Sequence, residues 1–230
     1  MRNLYIYHHL GLGDHFICNA LVRNICLSHP ADNLNLFCKP QYITPVSFMY
    51  RDVSNLQIIK ADDAKARMLI PFYQQGTIIG HEHFIGSNEL SFDEAFYKQL
   101  NVPFSERWDG FKVSRDYYRE DDLIRRLDLE GVDYAFVHDD KARNFVINRN
   151  AVNKNLKIVT PYDTKVDNLF DYMGVMVRAK EVHCIDSCFR LMYDSVVSKT
   201  DSTLYYHINL ENGVVRSSDF SSSRLNWNIV

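Results

Sequence analysis

The sequence alternates strand-like and helix-like segments in two separate stretches, and this pattern limits the possible folds more than any other feature. Strand-like apolar runs occur at 4–8, 34–38, 56–60 and 68–72, and again at 134–138, 156–161, 181–186 and 203–209. Helical spacing of apolar residues follows several of these runs, most clearly after the first one and at 164–180. Strands that alternate with helices form parallel sheets. We therefore predict an α/β fold.

The two stretches are separated by a looser segment, "PFSERWDGFKVSRD", at 103–116. Its mixture of proline, glycine and charged residues is typical of a connection between domains. We predict two small Rossmann-like halves facing a cleft, with an N-terminal domain at 1–110 and a C-terminal domain at 111–230. Ser91 and Glu94 have the spacing of a capping box, which predicts a helix near the end of the first half.

Composition and charge argue against several classes of function. With 46% hydrophobic residues and no low-complexity tract, nearly all of the 230 residues are expected to fold. A net charge of -3 argues against a nucleic-acid-binding protein, which usually needs a basic face. No stretch approaches the roughly 20 apolar residues of a transmembrane helix, and the start lacks a signal-peptide pattern, so we expect a cytoplasmic protein. The five cysteines have no zinc-type spacing, and we expect reduced thiols and no bound metal.

The first candidate site is the turn "HLGLGDHF" near the start of the chain. Gly11 and Gly13 allow a tight turn between a strand and a helix and a close approach to a ligand. The dinucleotide fingerprint needs a third glycine where this chain has Phe16, so NAD binding is not expected. Asp14 is placed to act as a base toward a bound hydroxyl group. Its alternative role is the N-cap of the helix.

The second candidate site follows the strand "YAFVH". His138 ends this strand, and Lys141 and Arg143 supply the N–H donors that phosphate oxygens need. A solvated charged turn is the alternative. Asp139 and Asp140 raise a further alternative, because vicinal carboxylates can hold Mg²⁺ or Mn²⁺ beside a diphosphate.

The third candidate site is the segment "EVHCIDSCFRLMYDSV", in which a strand leads into a helix. The hydroxyl group of Ser187, the neighbouring N–H groups and the guanidinium of Arg190 could together receive a phosphate. A plain N-cap at Ser187 is the alternative.

Two of these segments resemble a known family. "HHLGLGDHFICNALVRNI" and "VHCIDSCFRLMYDSV" resemble the N-terminal turn and a late strand and helix of the heptosyltransferase-like glycosyltransferases, the group of the ADP-heptose:LPS heptosyltransferases, which have the GT-B fold. The segment "VHDDKARNF" is similar to the strand end of nucleotide-sugar-dependent fucosyltransferases.

The resemblance implies an inverting, metal-independent glycosyltransferase of glycan biosynthesis. Asp14 would deprotonate a hydroxyl group of a glycan or oligosaccharide acceptor, and this oxygen would attack the anomeric carbon of a nucleotide diphosphate sugar. No cofactor is implied, and Mg²⁺ or Mn²⁺ is not expected. Pro161 and Tyr162 would lie near the nucleotide base. The implied donor-binding residues are Gly11, Gly13, His138, Lys141, Arg143, Ser187 and Arg190.

Two other classes of function remain open from the sequence. A sugar-nucleotide epimerase or hydrolase would use the same phosphate site without a separate acceptor. A non-catalytic nucleotide-binding or glycan-binding protein would use Asp14 only as a helix cap.

Overall fold

The computed structural model describes residues 1–73, 76–80, 90–140, 145–208, 210–211, 214–215 and 222–230. The chain forms two compact units, Met1–Ser114 and Arg115–Val230. Each unit contains a sheet of parallel strands with interleaved helices, which confirms the predicted α/β fold. The domain limits expected from the sequence, 1–110 and 111–230, stay a prediction.

The first unit has a four-stranded parallel sheet. Its strands are β1 (Asn3–Tyr7), β2 (Asn33–Cys38), β3 (Leu56–Lys60) and β4 (Gly76–Ile78), in the order β3-β2-β1-β4. Its helices are α1 (Leu12–Ile17), α2 (Asn19–Ser28), α3 (Ile43–Met49), α4 (Asp63–Tyr73), α5 (Phe92–Gln99) and α6 (Glu106–Asp109). Ile6, Leu34 and Leu36 are fully buried, because the two central strands are covered on both faces.

The predicted fourth strand at 68–72 is wrong, since these residues belong to helix α4. The side chain of Asp62 accepts a hydrogen bond from the backbone N–H of Lys65 at 2.8 Å, which favours a helix start at this point. Ala66 and Leu69 pack against the core while Met68 is exposed, and this spacing is helical. The fourth strand of the sheet is the shorter β4, which follows the helix.

The second unit has a five-stranded parallel sheet and a short antiparallel pair. The strands are β5 (Tyr134–His138), β6 (Lys157–Val159), β7 (Glu181–Cys184), β8 (Thr203–Tyr206), β9 (Leu210–Glu211), β10 (Val214–Val215) and β11 (Asn228–Ile229). The large sheet has the order β11-β8-β7-β5-β6, and β9 pairs with β10. The helices are α7 (Tyr117–Arg126), α8 (Met173–Arg178) and α9 (Cys188–Val196). The edge strand β11 adds a strand after the segment 203–209, which the sequence pattern treats as the last one.

The helix predicted at 164–180 is shorter in the structure. A single 3₁₀ turn at Leu169–Tyr172 precedes α8, and the side chain of Asn168 caps this turn by accepting from the backbone N–H of Phe170. Val177 is 38% exposed, although it follows the fully buried Met173 by four residues, the spacing of one helix face. The cap at Asn168 therefore sets the start of the helical segment.

Within the described ranges, no helix combines the length and the apolar character that crossing a bilayer would require.

Candidate active site

The turn after β1 places Asp14 in the first turn of α1. Gly11 is the N-cap residue, so the sequence-based interpretation of Asp14 as N-cap is wrong. Asp14 is the third residue of the helix, and its backbone N–H donates to the carbonyl oxygen of Gly11 at 3.1 Å. A Cβ atom at Gly11 would lie 2.6 Å from Oδ2 of Asp14. A glycine is therefore required for this carboxylate to lie against the preceding turn.

Gly11→Ala is expected to displace the Asp14 carboxylate and to reduce any activity that depends on it. The backbone angles of Gly11, φ -68° and ψ 148°, suit alanine, so the free energy of unfolding should change by less than about 1 kcal/mol. Urea denaturation and a turnover assay measure the two effects separately. Unchanged turnover in a folded Gly11→Ala variant would show that the position of the carboxylate is unimportant.

Three histidines surround this turn. The rings of His8 and His15 are buried and contact each other edge to face, with centroids 4.4 Å apart. Burial and the neighbouring His8 lower the pKa of His15 well below its usual value, so this ring is neutral at neutral pH. His9 contacts the carbonyl oxygen of Gly80 through Nε2 at 2.8 Å and stacks on Phe96. The three imidazoles therefore line the turn that presents Asp14, and the buried ring of His15 is neutral.

A polar cluster follows the neighbouring strands of the same sheet and was missed by the sequence analysis. Nζ of Lys39, which follows β2, lies 2.8 Å from Oδ2 of Asp63. The ammonium of Lys39 lowers the pKa of Asp63, and Asp63, with a smaller contribution from Asp14, raises the pKa of Lys39. The hydroxyl group of Tyr7 contacts Asp63 and Arg67, at 3.3 Å in each case. The signal in the sequence was the position of Lys39 directly after a strand, since ligands of parallel sheets bind at this edge.

In the second unit, the polar residues after β5 have structural partners. The carboxylate of Asp139 is buried and accepts from the guanidinium of Arg149 and, at 2.8 Å, from the backbone N–H of Ile147. The backbone of Asp140 pairs with that of Phe145. The engagement of Asp139 by a cation does not favour the alternative in which the two carboxylates hold Mg²⁺ or Mn²⁺.

The other residues predicted for this segment are His138, Lys141 and Arg143. His138 is buried, and its ring lies 4.6 Å from the ring of Phe189 at the start of α9. Lys141 and Arg143 lie outside the described residues.

Ser187 is the N-cap of α9, and its hydroxyl oxygen accepts from the backbone N–H of Arg190 at 3.5 Å. The guanidinium of Arg190 is buried and lies between two carboxylates, 3.0 Å from Asp186 and 3.5 Å from Asp194. These carboxylates raise the pKa of Arg190 against the opposing effect of burial. The two residues are thus adjacent, but the charge of Arg190 is largely compensated by aspartates.

Pro161 and Tyr162 belong to a turn after β6. The ring of Tyr162 is 54% exposed, and its hydroxyl group donates to the carbonyl oxygen of Asp139 at 2.8 Å. The carbonyl oxygen of Pro161 accepts from the hydroxyl group of Tyr172 at 3.1 Å. Tyr162 therefore presents a ring of fixed position at the carboxyl end of the sheet, where a planar base could stack on it.

No protein-family model and no curated protein matches the sequence. The structure is similar to the crystal structure of the glycosyl transferase family 9 from Veillonella parvula DSM 2008. The alignment covers 100% of this chain and 86% of that chain, with a TM-score of 0.54 and 7% sequence identity.

The chain has the fold of this glycosyl transferase. A further match is the structure of E. coli heptosyltransferase WaaC with ADP, at a TM-score of 0.42 and 12% identity, covering 90% of this chain and 87% of that chain. Because the first alignment covers the whole chain, both units belong to the glycosyl transferase fold. Asp14 lies at the first strand-to-helix turn of this chain, and Ser187 lies at a late one.

Proposed function

We propose that this chain is a glycosyltransferase of the GT-B type, which transfers a sugar from a nucleotide diphosphate sugar to a hydroxyl group of a glycan acceptor with inversion. The observation that supports this most is the similarity of the entire chain, both units included, to a glycosyl transferase. The position of Asp14 in the structure is consistent with this chemistry.

Asp14 is proposed as the general base. Its carboxylate takes the proton of the acceptor hydroxyl group as that oxygen forms a bond to the anomeric carbon of the donor sugar. The bond between this carbon and the diphosphate oxygen breaks, and the electron pair leaves with the nucleoside diphosphate. Attack from the face opposite the leaving group inverts the anomeric configuration. General-base catalysis of this kind contributes about 10²–10⁴-fold to a rate.

The nucleoside diphosphate leaving group is proposed to bind in the second unit. Ser187 is the N-cap of α9. Its hydroxyl group and the first N–H groups of the helix are proposed to donate hydrogen bonds to phosphate oxygens. Lys141, Arg143 and His138 are further proposed donors, and Tyr162 is proposed to stack on the base. Arg190, which contacts both Asp186 and Asp194, holds the Ser187 turn in place and adds little net charge to the site.

Transfer without a metal is proposed because Asp139, the buried member of the acidic pair, already forms an ion pair with Arg149. A thermal-shift screen with UDP, GDP, ADP, CMP and their sugars, with EDTA or with Mg²⁺, tests this. We expect one nucleoside diphosphate to raise the melting temperature in EDTA, because a ligand that binds only the folded state stabilises it.

The other outcomes of the screen, together with product analysis of the same mixtures, separate the alternatives. A shift that requires Mg²⁺ would contradict metal independence. Binding of a nucleotide sugar that is never consumed, with any acceptor, would favour a non-catalytic binding protein. Consumption of the donor without an acceptor would favour an epimerase or hydrolase. The absence of any shift would contradict the proposed function.

A further inference from the structure

Three side chains of the second unit form a hydrogen-bonded chain that the proposed mechanism does not use. Nε2 of His183 lies 3.1 Å from Oε2 of Glu181, and Nδ1 of His183 lies 2.9 Å from Nε2 of His207. We name these three residues the histidine relay. His183 is fully buried and stacks on Tyr205, with ring centroids 4.4 Å apart. The ring of His183 is therefore fixed by packing as well as by hydrogen bonds, and the ring of His207 is held by its hydrogen bond to His183.

The geometry determines which nitrogen atoms hold hydrogen. A carboxylate only accepts, so Nε2 of His183 must donate to Glu181. Burial lowers the pKa of His183, so this ring is neutral and its Nδ1 is an acceptor. Nε2 of His207 must then be the donor to His183. Nδ1 of His207 is left as an acceptor with a free lone pair.

His207 remains neutral because of its surroundings. Burial, followed by the neighbouring His183 and the guanidinium of Arg149, lowers the pKa of His207 to about 4, and the nearby Asp139 opposes this shift only in part. Glu181 acts on His207 through His183. The ring is therefore a neutral hydrogen-bond acceptor at neutral pH and does not repel or attract a phosphate by charge.

His207 lies where ligands of parallel sheets bind. It is the residue directly after β8, and its backbone N–H donates to the carbonyl oxygen of Cys184, the last residue of β7. Ligands of such sheets bind outside the carboxyl ends of the strands. The residue is 6% exposed, and in the described part of the chain Nδ1 forms no hydrogen bond. Nδ1 lies on the other side of the ring from the nitrogen atom that contacts His183, so a ligand at this edge of the sheet can donate a hydrogen bond to it.

We propose that His207 is a ligand-binding residue, whose Nδ1 accepts a hydrogen bond from a hydroxyl group of the nucleotide-sugar donor. This inference rests on the proposed function, because the donor is its ligand. Glu181 and His183 are positioning residues that fix the tautomer of His207. The hydroxyl group belongs either to the ribose or to the sugar, and both have the same chemistry at this atom.

Two substitutions separate binding from structure. In His207→Gln, the amide nitrogen takes the place of Nε2 and still donates to His183. No acceptor atom remains at the position of Nδ1. In His207→Asn, the amide oxygen takes the place of Nδ1, but the contact with His183 is lost. We measure the melting temperature of both variants and their dissociation constants for UDP, GDP, ADP, UDP-glucose, GDP-mannose and ADP-glucose.

We expect His207→Gln to keep the wild-type melting temperature and to bind the donor about tenfold more weakly. His207→Asn should melt at a lower temperature and keep its affinity within about threefold. Weaker binding of both a nucleoside diphosphate and its sugar would assign the hydroxyl group to the ribose. Weaker binding of the nucleotide sugar alone would assign it to the sugar.

The results that would overturn the inference differ in whether they also overturn the proposed function. Equal donor affinity of His207→Gln and wild type would overturn the inference and leave the proposed function intact. Failure of the wild type to bind any of the six compounds would overturn the proposed function and the inference with it. Nitrogen-15 NMR of the wild type checks the tautomers, and a protonated Nδ1 on His207 would also overturn the inference.

Discussion

Asp14→Asn is expected to slow sugar transfer by about 10²–10⁴-fold while the nucleotide-sugar donor still binds. The substitution keeps the size of the side chain but replaces the basic carboxylate, which takes the proton of the acceptor, with an amide that is too weak a base to do so. The donor is proposed to bind in the other unit, so its dissociation constant should change little. Steady-state turnover and equilibrium binding of the donor, measured on the same preparation, test both parts.

Asp109→Asn is a matched control for this experiment. Asp109 is an exposed helical aspartate of the same unit, so the substitution changes the net charge by the same amount away from the turn. Its turnover should equal that of the wild type. Full activity of Asp14→Asn would remove Asp14 from the mechanism, and equal losses in both variants would point to a general effect of charge.

Asp93→Ala is expected to lower the free energy of unfolding by about 3–5 kcal/mol, because it leaves a buried cation without its carboxylate. Oδ2 of Asp93 lies 2.8 Å from Nη1 of Arg107, and both side chains are 0% exposed. Asp93 belongs to α5 and Arg107 to α6, so their ion pair also connects these two helices. Urea denaturation followed by circular dichroism measures the loss.

Asp122→Ala is the control for this stability measurement. Asp122 pairs with Arg125 at 3.4 Å, with side chains 46% and 52% exposed, and such a surface pair contributes less than about 1 kcal/mol. The double variant Asp93→Leu with Arg107→Met should recover much of the lost stability, because it removes both buried charges. Similar losses in the free energy of unfolding for Asp93→Ala and Asp122→Ala would contradict the burial of the ion pair between Asp93 and Arg107.

Much of the fold could be predicted because its signal is local. The strands "LQIIK" and "YAFVH" have the same limits in the structure as in the sequence-based prediction, since each is a short apolar run bounded by polar or turn-forming residues. The prediction failed at α4, where the apolar run 68–72 is helical and the capping contact between Asp62 and Lys65 decides the outcome. A short apolar run does not by itself distinguish a strand from a helix.

The candidate site was predictable only in part. The sequence located the turn at Asp14 and the cap at Ser187, because glycine and serine mark the turns between a strand and a helix. It could not assign the partners of the charged residues. Arg190 was expected to receive a phosphate, yet in the structure it contacts Asp186 and Asp194.

The sequence by itself determined the alternation of strands and helices and the turn that presents Asp14, because apolar periodicity and glycine act over a few residues. Only the tertiary structure decided which side chains meet. Asp139 pairs with Arg149, Asp93 with Arg107, and His183 with His207, 24 residues away. The physical reason is that ion pairs and hydrogen bonds depend on burial and on distances in space, which are set only after the sheets and helices have packed.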